Sequence, residues 1–186
     1  MNLIDINDDV AKFNFSSIIT DKDQEEAKKQ IRNIIDNGAY FKNSPKFQTQ
    51  VNLFGLKDPV WMKFRMSFIF SVFMYLGREV SIQQLMAWSF MTNNEITEDR
   101  DNLWHTHHYT EGKKTISGIY YLHVPSDANY DMSGTEFAPK GPQDTERYSV
   151  KPSPYNWIIY PGSIYHRPMP PLSKDYRFVL AADLEF

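Results

Sequence analysis

The stretch Leu103–Leu122, LWHTHHYTEGKKTISGIYYL, decides how this chain of 186 residues is read. It opens on His105-Thr106-His107, crosses a polar turn at Glu111–Lys114 and re-enters an apolar run from Ile116 to Leu122. Side chains two apart on a strand leave the same face. A strand over 103–109 therefore aims the imidazoles of His105 and His107 at one point. Two convergent imidazoles make a metal the first hypothesis. A candidate to complete the shell lies near the far end: His166 in YPGSIYHRP, with Arg177 eleven residues further on. His108 projects from the opposite face of the same strand, and His123 ends the next strand ahead of a proline loop. Neither of these is expected to bind metal.

The composition narrows the chemistry. The chain has no cysteine, which excludes disulfides, thiolate ligands and a cysteine nucleophile. Any metal must then be held by nitrogen and oxygen, a donor set that suits iron, manganese, zinc, nickel or copper. Twenty basic against 23 acidic side chains give a net charge of −3, without a block of like charges. Nothing in that balance points to nucleic acid or an anionic membrane. Hydrophobic residues at 41% and aromatics at 15% argue for a packed core. The first twenty residues lack a basic start and an apolar core, so no signal peptide is expected. Met66–Leu76, eleven residues, is too short for a bilayer and reads as a buried helix. The expectation is a cytoplasmic chain forming a single domain over 1–186. Residues 1–78 would be its helical N-terminal part and 79–186 its β-rich part.

Local patterns fill in the elements. Lys12–Phe15 reads as an edge strand. Asp21 or Asp23 can cap a helix to about Asp36, with Asn37-Gly38 as its stop; Ala27, Ile31, Ile34 and Ile35 form its buried stripe. Residues 39–57 read as irregular. Asp58-Pro59 starts a second helix ending near Gly77, and Val60, Trp61, Phe64, Phe68 and Val72 give it an aromatic face suited to packing on a sheet. From Val80 the period becomes two. Strands are expected at Val80–Met91, Leu103–Tyr109, Thr115–His123, Thr135–Phe137, Tyr148–Lys151, Trp157–Tyr160 and Tyr176–Leu184. Loops over 93–101, 125–134 and 139–147 would frame a substrate mouth. Two helices followed by short strands give an α+β, mainly β chain: a β-sandwich or barrel with helices on one face.

Three strand-associated histidines make a nitrogen face with open positions, as in a site that does chemistry rather than a closed structural one. Arg177 lies on a largely apolar strand, YRFVLAADLEF, and a guanidinium there needs a carboxylate from the protein or from a bound acid.

From His105 to the C-terminus the chain resembles the Fe(II)/2-oxoglutarate-dependent oxygenases, in particular their prolyl-hydroxylase-like branch. The resemblance rests on His105-Thr106-His107, the strand closing in Tyr120-Tyr121-Leu122, the apolar run Trp157–Tyr160 before His166, and Arg177. It implies a double-stranded β-helix (jelly roll) with the N-terminal helices packed on its larger sheet. It implies Fe(II) held by His105 and His166, with 2-oxoglutarate as cosubstrate. Arg177 would then bind the far carboxylate of 2-oxoglutarate, with Tyr121 donating its hydroxyl to the same group. The reaction implied is oxidative decarboxylation of 2-oxoglutarate, followed by hydrogen abstraction and hydroxylation of a peptidyl or small-molecule substrate by O2.

One position departs from the family. Its carboxylate ligand falls where this chain has His107, so the expected ligand set is His105, His107 and His166. Two histidines and a carboxylate are the usual Fe(II) oxygenase triad. The replacement leaves open a working three-histidine oxygenase, a different metal or reaction, or a degenerate binding protein. A cupin-like alternative takes His105, His107, Glu111 and His166 as ligands, on the spacing of His105, His107, Glu111 and Gly118. A third alternative is a non-catalytic β-sandwich binding or virion-associated module.

Overall fold

A computed structural model describes residues 3–7, 9–41, 47–95, 104–107, 110–128, 133–143, 145–169 and 171–186. His108 and parts of the expected strand over 103–109 and of the loops over 93–101 and 125–134 lie outside these residues.

The two helices form where capping and periodicity place them. α1 runs from Asp21 to Asp36, and α2 from Pro59 to Leu76. α1 is capped by Thr20 rather than by Asp21 or Asp23. Asp23 is instead the third helical residue, and its carboxylate reaches back to the Thr20 backbone N–H at 2.8 Å while the Thr20 hydroxyl accepts from the Asp23 N–H at 3.3 Å, closing a capping box. Asp58 caps α2 through the Val60 N–H at 2.9 Å. Gly77 ends α2 with φ at 65°, a left-handed conformation that favours glycine.

Ten strands form two antiparallel sheets among the described residues: β1 Leu3–Asn7, β2 Val10–Asn14, β3 Phe47–Gln48, β4 Gln84–Thr92, β5 Thr115–His123, β6 Thr135–Ala138, β7 Tyr148–Val150, β8 Asn156–Pro161, β9 Tyr165–Pro168 and β10 Arg177–Glu185. The larger sheet has the order β1-β2-β8-β5-β10-β4-β3, and the smaller β7-β6-β9.

Both faces of the larger sheet are covered, which is why β5, β8 and β10 are apolar almost throughout. Tyr120, Leu122, Trp157, Ile159, Leu180 and Leu184 pack under the helices with Ala27, Ile31, Phe64, Phe68 and Val72. The alternate residues Ile119, Tyr121, Ile158, Tyr160 and Val179 pack against Phe137 and Val150 of the smaller sheet. Gly118 permits the close approach of α2 to β5: a β-carbon there would lie 2.5 Å from the Phe68 ring.

Several expectations change on folding. β2 is not an edge strand, because β1 pairs outside it. The strand expected from Val80 begins at Gln84, where the ladder with Glu185 starts. Residues 39–57 contain β3 and a short 3-10 turn at Leu53–Gly55. Trp104–His107 is not a regular strand, since it is held by a bridge at His105 rather than a ladder. α2 is buried on one side only: Met62, Met66, Phe70 and Met74 face outward, because the helix layer has nothing beyond it among the described residues. No described helix is long and apolar enough to cross a membrane.

Candidate metal centre and acid-binding pocket

The pocket lies between the two sheets, and strand alternation decides what enters it. On β10 the residues opposite the helix face are Arg177, Val179, Ala181 and Asp183. On β5 they are Ser117, Ile119 and Tyr121, and β4 contributes Trp88, Phe90 and Thr92. Arg177, Val179, Ala181, Ile119, Tyr121, Trp88, Phe90 and Thr92 line a narrow pocket of about 50 Å³, and His105, His107 and His166 line it too.

The histidines arrive from two segments tied by backbone bonds. His105 and His166 exchange a pair of N–H···O bonds, each 3.1 Å, joining residue 105 to β9. The His107 N–H donates to the Gly162 carbonyl at 2.7 Å, and the Gly162 N–H to Thr115 at 2.8 Å. On the outer side of this bridge, the Arg167 guanidinium stacks on Trp104 at 4.5 Å and pairs with Glu136 at 2.7 Å. Neighbouring residues point to opposite sides, so this clamp leaves His105 and His166 turned inward.

The Gly162 contact leaves no room for a side chain. A β-carbon there would sit 2.6 Å from the His107 carbonyl oxygen. Gly162→Ala is therefore expected to destabilise the chain by roughly 1–3 kcal/mol, the usual cost of overpacking. At about 2–4 °C per kcal/mol for a domain of this size, calorimetry should record a clearly lower midpoint; an unchanged one contradicts the close approach.

One nitrogen from each of the three histidines lies within 4.8 Å of the others. The ring centroids are 4.3, 4.9 and 5.1 Å apart. Metal–imidazole bonds run at about 2.0–2.1 Å for zinc, which sets an upper limit of about 4.2 Å between two nitrogens on one ion, so the three rings must draw together around it. The hydrogen bonds select the nitrogens. His107 Nδ1 lies 2.8 Å from Asp183 Oδ1, and His166 Nδ1 lies 3.0 Å from the Ile164 carbonyl. An N–H at each Nδ1 satisfies these acceptors and leaves Nε2 with its lone pair. His166 Nε2 also lies 3.1 Å from the Tyr160 hydroxyl. The donor set and its tautomers fit a divalent transition metal.

Arg177 sits on the same pocket and is 2% exposed. Its Nη1 donates to the Met169 carbonyl at 2.6 Å and to the Ser133 carbonyl, while its Nε has no partner among the described residues. Among the described residues, the hydroxyl of Thr92, its cross-strand neighbour, and the indole N–H of Trp88 on the same strand as Thr92 likewise have no hydrogen-bond partner. Burial pulls the Arg177 pKa below its ordinary value, with Tyr121 acting in the opposite sense. Burial raises the Tyr121 pKa, opposed by Arg177 and by the hydrogen bond to Thr135, whose Oγ1 lies 2.8 Å away. Charge buried without a counter-charge is costly, and this wall presents donors that an anion satisfies.

The five residues singled out from sequence, His105, His107, His166, Tyr121 and Arg177, thus meet on one pocket. Glu111 does not: it is exposed in the turn before β5 and outside the histidine group, which removes it from the cupin-type ligand set. His123 lies at the end of β5 beside Phe178, at 6.4 Å between rings. Sequence reasoning missed Asp183, Tyr160, Thr92 and Trp88. Asp183 carried a usable signal, since it follows Arg177 at even spacing along one strand.

The fold and site define a class: a mainly β protein with two helices and two antiparallel sheets, fitting a jelly roll, with a three-histidine pocket between the sheets. No family model and no curated protein sequence matches the chain. Solved structures do. One is a prolyl hydroxylase from Trichoplax adhaerens in complex with a hypoxia-inducible-factor oxygen-degradation-domain peptide; it is 12% identical, the match covers 97% of this chain and 84% of that one, and the TM-score is 0.65. The non-heme alpha-ketoglutarate-dependent carbocyclase SnoK of nogalamycin biosynthesis is 7% identical over 95% and 79% of the two chains, at 0.64. The viral collagen prolyl hydroxylase of Paramecium bursaria Chlorella virus-1, in its 2-oxoglutarate complex, is 12% identical over 95% of both chains, at 0.57. At these identities the likeness establishes the fold: this chain shares that of the two prolyl hydroxylases and the carbocyclase.

Proposed function

We propose that this protein is a non-haem Fe(II)- and 2-oxoglutarate-dependent oxygenase that hydroxylates a peptidyl or small-molecule substrate, with the two sheets forming a double-stranded β-helix. The observation that carries the reading is the buried guanidinium of Arg177, whose Nε has no partner among the described residues, on the same pocket as the three histidines. A pocket with metal ligands and a buried cation suits a dicarboxylate that chelates with one end and meets a guanidinium with the other.

In this reading His105, His107 and His166 would hold the iron, the last two through Nε2. Arg177 anchors the far carboxylate of 2-oxoglutarate, and Tyr121 turns its hydroxyl from Thr135 to the same group. Thr92 and Trp88 offer further donors along that wall. When bound, iron, 2-oxoglutarate and O2 supply the oxidation: one oxygen atom enters a substrate C–H bond and the other enters succinate, with loss of CO2. The protein's part is to hold, orient and exclude water. Phe90, Ile119 and Val179 supply the apolar walls that keep the pocket dry.

The test is anaerobic titration of 2-oxoglutarate into Fe(II)-loaded protein. A saturable visible charge-transfer band is expected, with succinate released on admitting O2 and substrate. Failure of the protein to take up iron, or uptake with no band, overturns the assignment.

A further inference from the structure

We infer that Asp183, acting through the imidazole of His107, supplies the negative charge of the metal centre and so sets both its affinity for a divalent ion and its redox potential. The inference rests on the proposed three-histidine site. Imidazole is a neutral ligand, so three of them leave the charge of a divalent ion uncompensated. The pocket wall makes this worse: Arg177 adds a buried positive charge, and among the described residues no aspartate or glutamate lines the pocket. Asp183 lies one layer behind. It is 2% exposed, its Oδ1 is 2.8 Å from His107 Nδ1, and it accepts from the Ser117 hydroxyl at 2.6 Å.

The three histidines are not equivalent in this respect. The Nδ1 of His166 faces a neutral backbone carbonyl, at Ile164, whereas that of His107 faces a carboxylate. A carboxylate accepting the Nδ1 proton makes Nε2 a more basic donor and passes part of its charge to the ion. The fold fixes the arrangement from both sides. Asp183 and Ser117 are direct cross-strand partners on β10 and β5, and the Ser117 hydroxyl also lies 3.2 Å from His107 Nδ1. A purely packing role for a buried aspartate would not need its charge to face the ring of a metal ligand.

Asp183→Asn keeps the shape and removes the charge. Cobalt(II) titrated into the metal-free protein, followed by its visible spectrum and by calorimetry, should bind roughly 10–100-fold more weakly than to wild type, the usual effect of losing an outer-shell carboxylate. The Fe(III)/Fe(II) potential of the iron-loaded variant should shift positive, because the oxidised ion loses more from the missing charge. Equal affinity and potential overturn the inference. Weaker binding with an unmoved potential also overturns it, leaving Asp183 only an orienting role. Should Asp183→Asn fail to fold, Ser117→Ala decides: it keeps the charge and removes a donor that shares Oδ1 with His107, so cobalt should bind at least as tightly as to wild type, and clearly weaker binding there leaves Asp183 only an orienting role and sinks the idea. A wild-type chain that takes up no cobalt removes the metal site itself, an outcome distinct from uptake that is indifferent to residue 183.

Discussion

Arg177→Met is expected to leave the chain folded and to weaken 2-oxoglutarate binding by roughly 10²–10³-fold. Charge-assisted hydrogen bonds contribute about 1.5–3 kcal/mol each, and stranding one member of a buried ion pair costs roughly 3–5 kcal/mol. At about 1.4 kcal/mol per factor of ten, those figures reach the stated loss. Stability without ligand should change little, because two effects oppose. Methionine fills the space of the arginine stem and removes a buried charge. It also removes the Nη1 bonds to the carbonyls of Ser133 and Met169, at about 1 kcal/mol each. Ligand-linked melting separates the two: 2-oxoglutarate at a hundred times its Kd should stabilise the iron-loaded wild type by about 2.7 kcal/mol and the variant hardly at all. Arg177→Lys keeps the charge but loses the planar fork, so its affinity should fall between the two. A folded methionine variant that binds as tightly as wild type takes Arg177 out of the site.

His166→Ala should reduce metal affinity by at least about 10³-fold, beyond the 10–100-fold typical of outer-shell losses, because one of three ligands disappears. The backbone bridge to His105 does not need the ring, so the segment stays paired. The Tyr160 hydroxyl does lose a neighbour at 3.1 Å, and a modest drop in melting temperature is expected alongside. His123→Ala is the internal control, since its ring sits at the end of β5, off the pocket lining. Cobalt or iron titration against both variants reads the difference. If His166→Ala takes up metal like wild type, the ion binds elsewhere.

Much of the architecture was legible because it follows from local rules. Asp58-Pro59 and Gly77 bracket α2 by capping chemistry, and the run Thr115–His123 is a strand from end to end. The errors came where pairing partners decide. Lys12–Phe15 reads as an edge strand until β1 pairs outside it. β9, which carries His166, was hidden because Tyr165–Pro168 is short and follows a Pro-Gly turn; its pairing with β6 makes it a strand. The segment around His107 reads as a regular strand by alternation. Its geometry instead comes from one bonded pair with His166 and one bond to Gly162, partners more than fifty residues away.

By itself the sequence determined the kinds of chemistry on offer: three imidazoles, an arginine on an apolar strand, no thiol, and helices able to cover one face of a sheet. These are properties of residue type and short-range period, and they need no knowledge of partners. Only the tertiary structure decided that the imidazoles and the guanidinium share one pocket, that Glu111 stays in solvent, and that the carboxylate of Asp183 stands behind His107. The register between β10, β5 and β4 sets those neighbours, and register is fixed by burying both faces of the sheet at once, a condition that no local stretch of the chain contains.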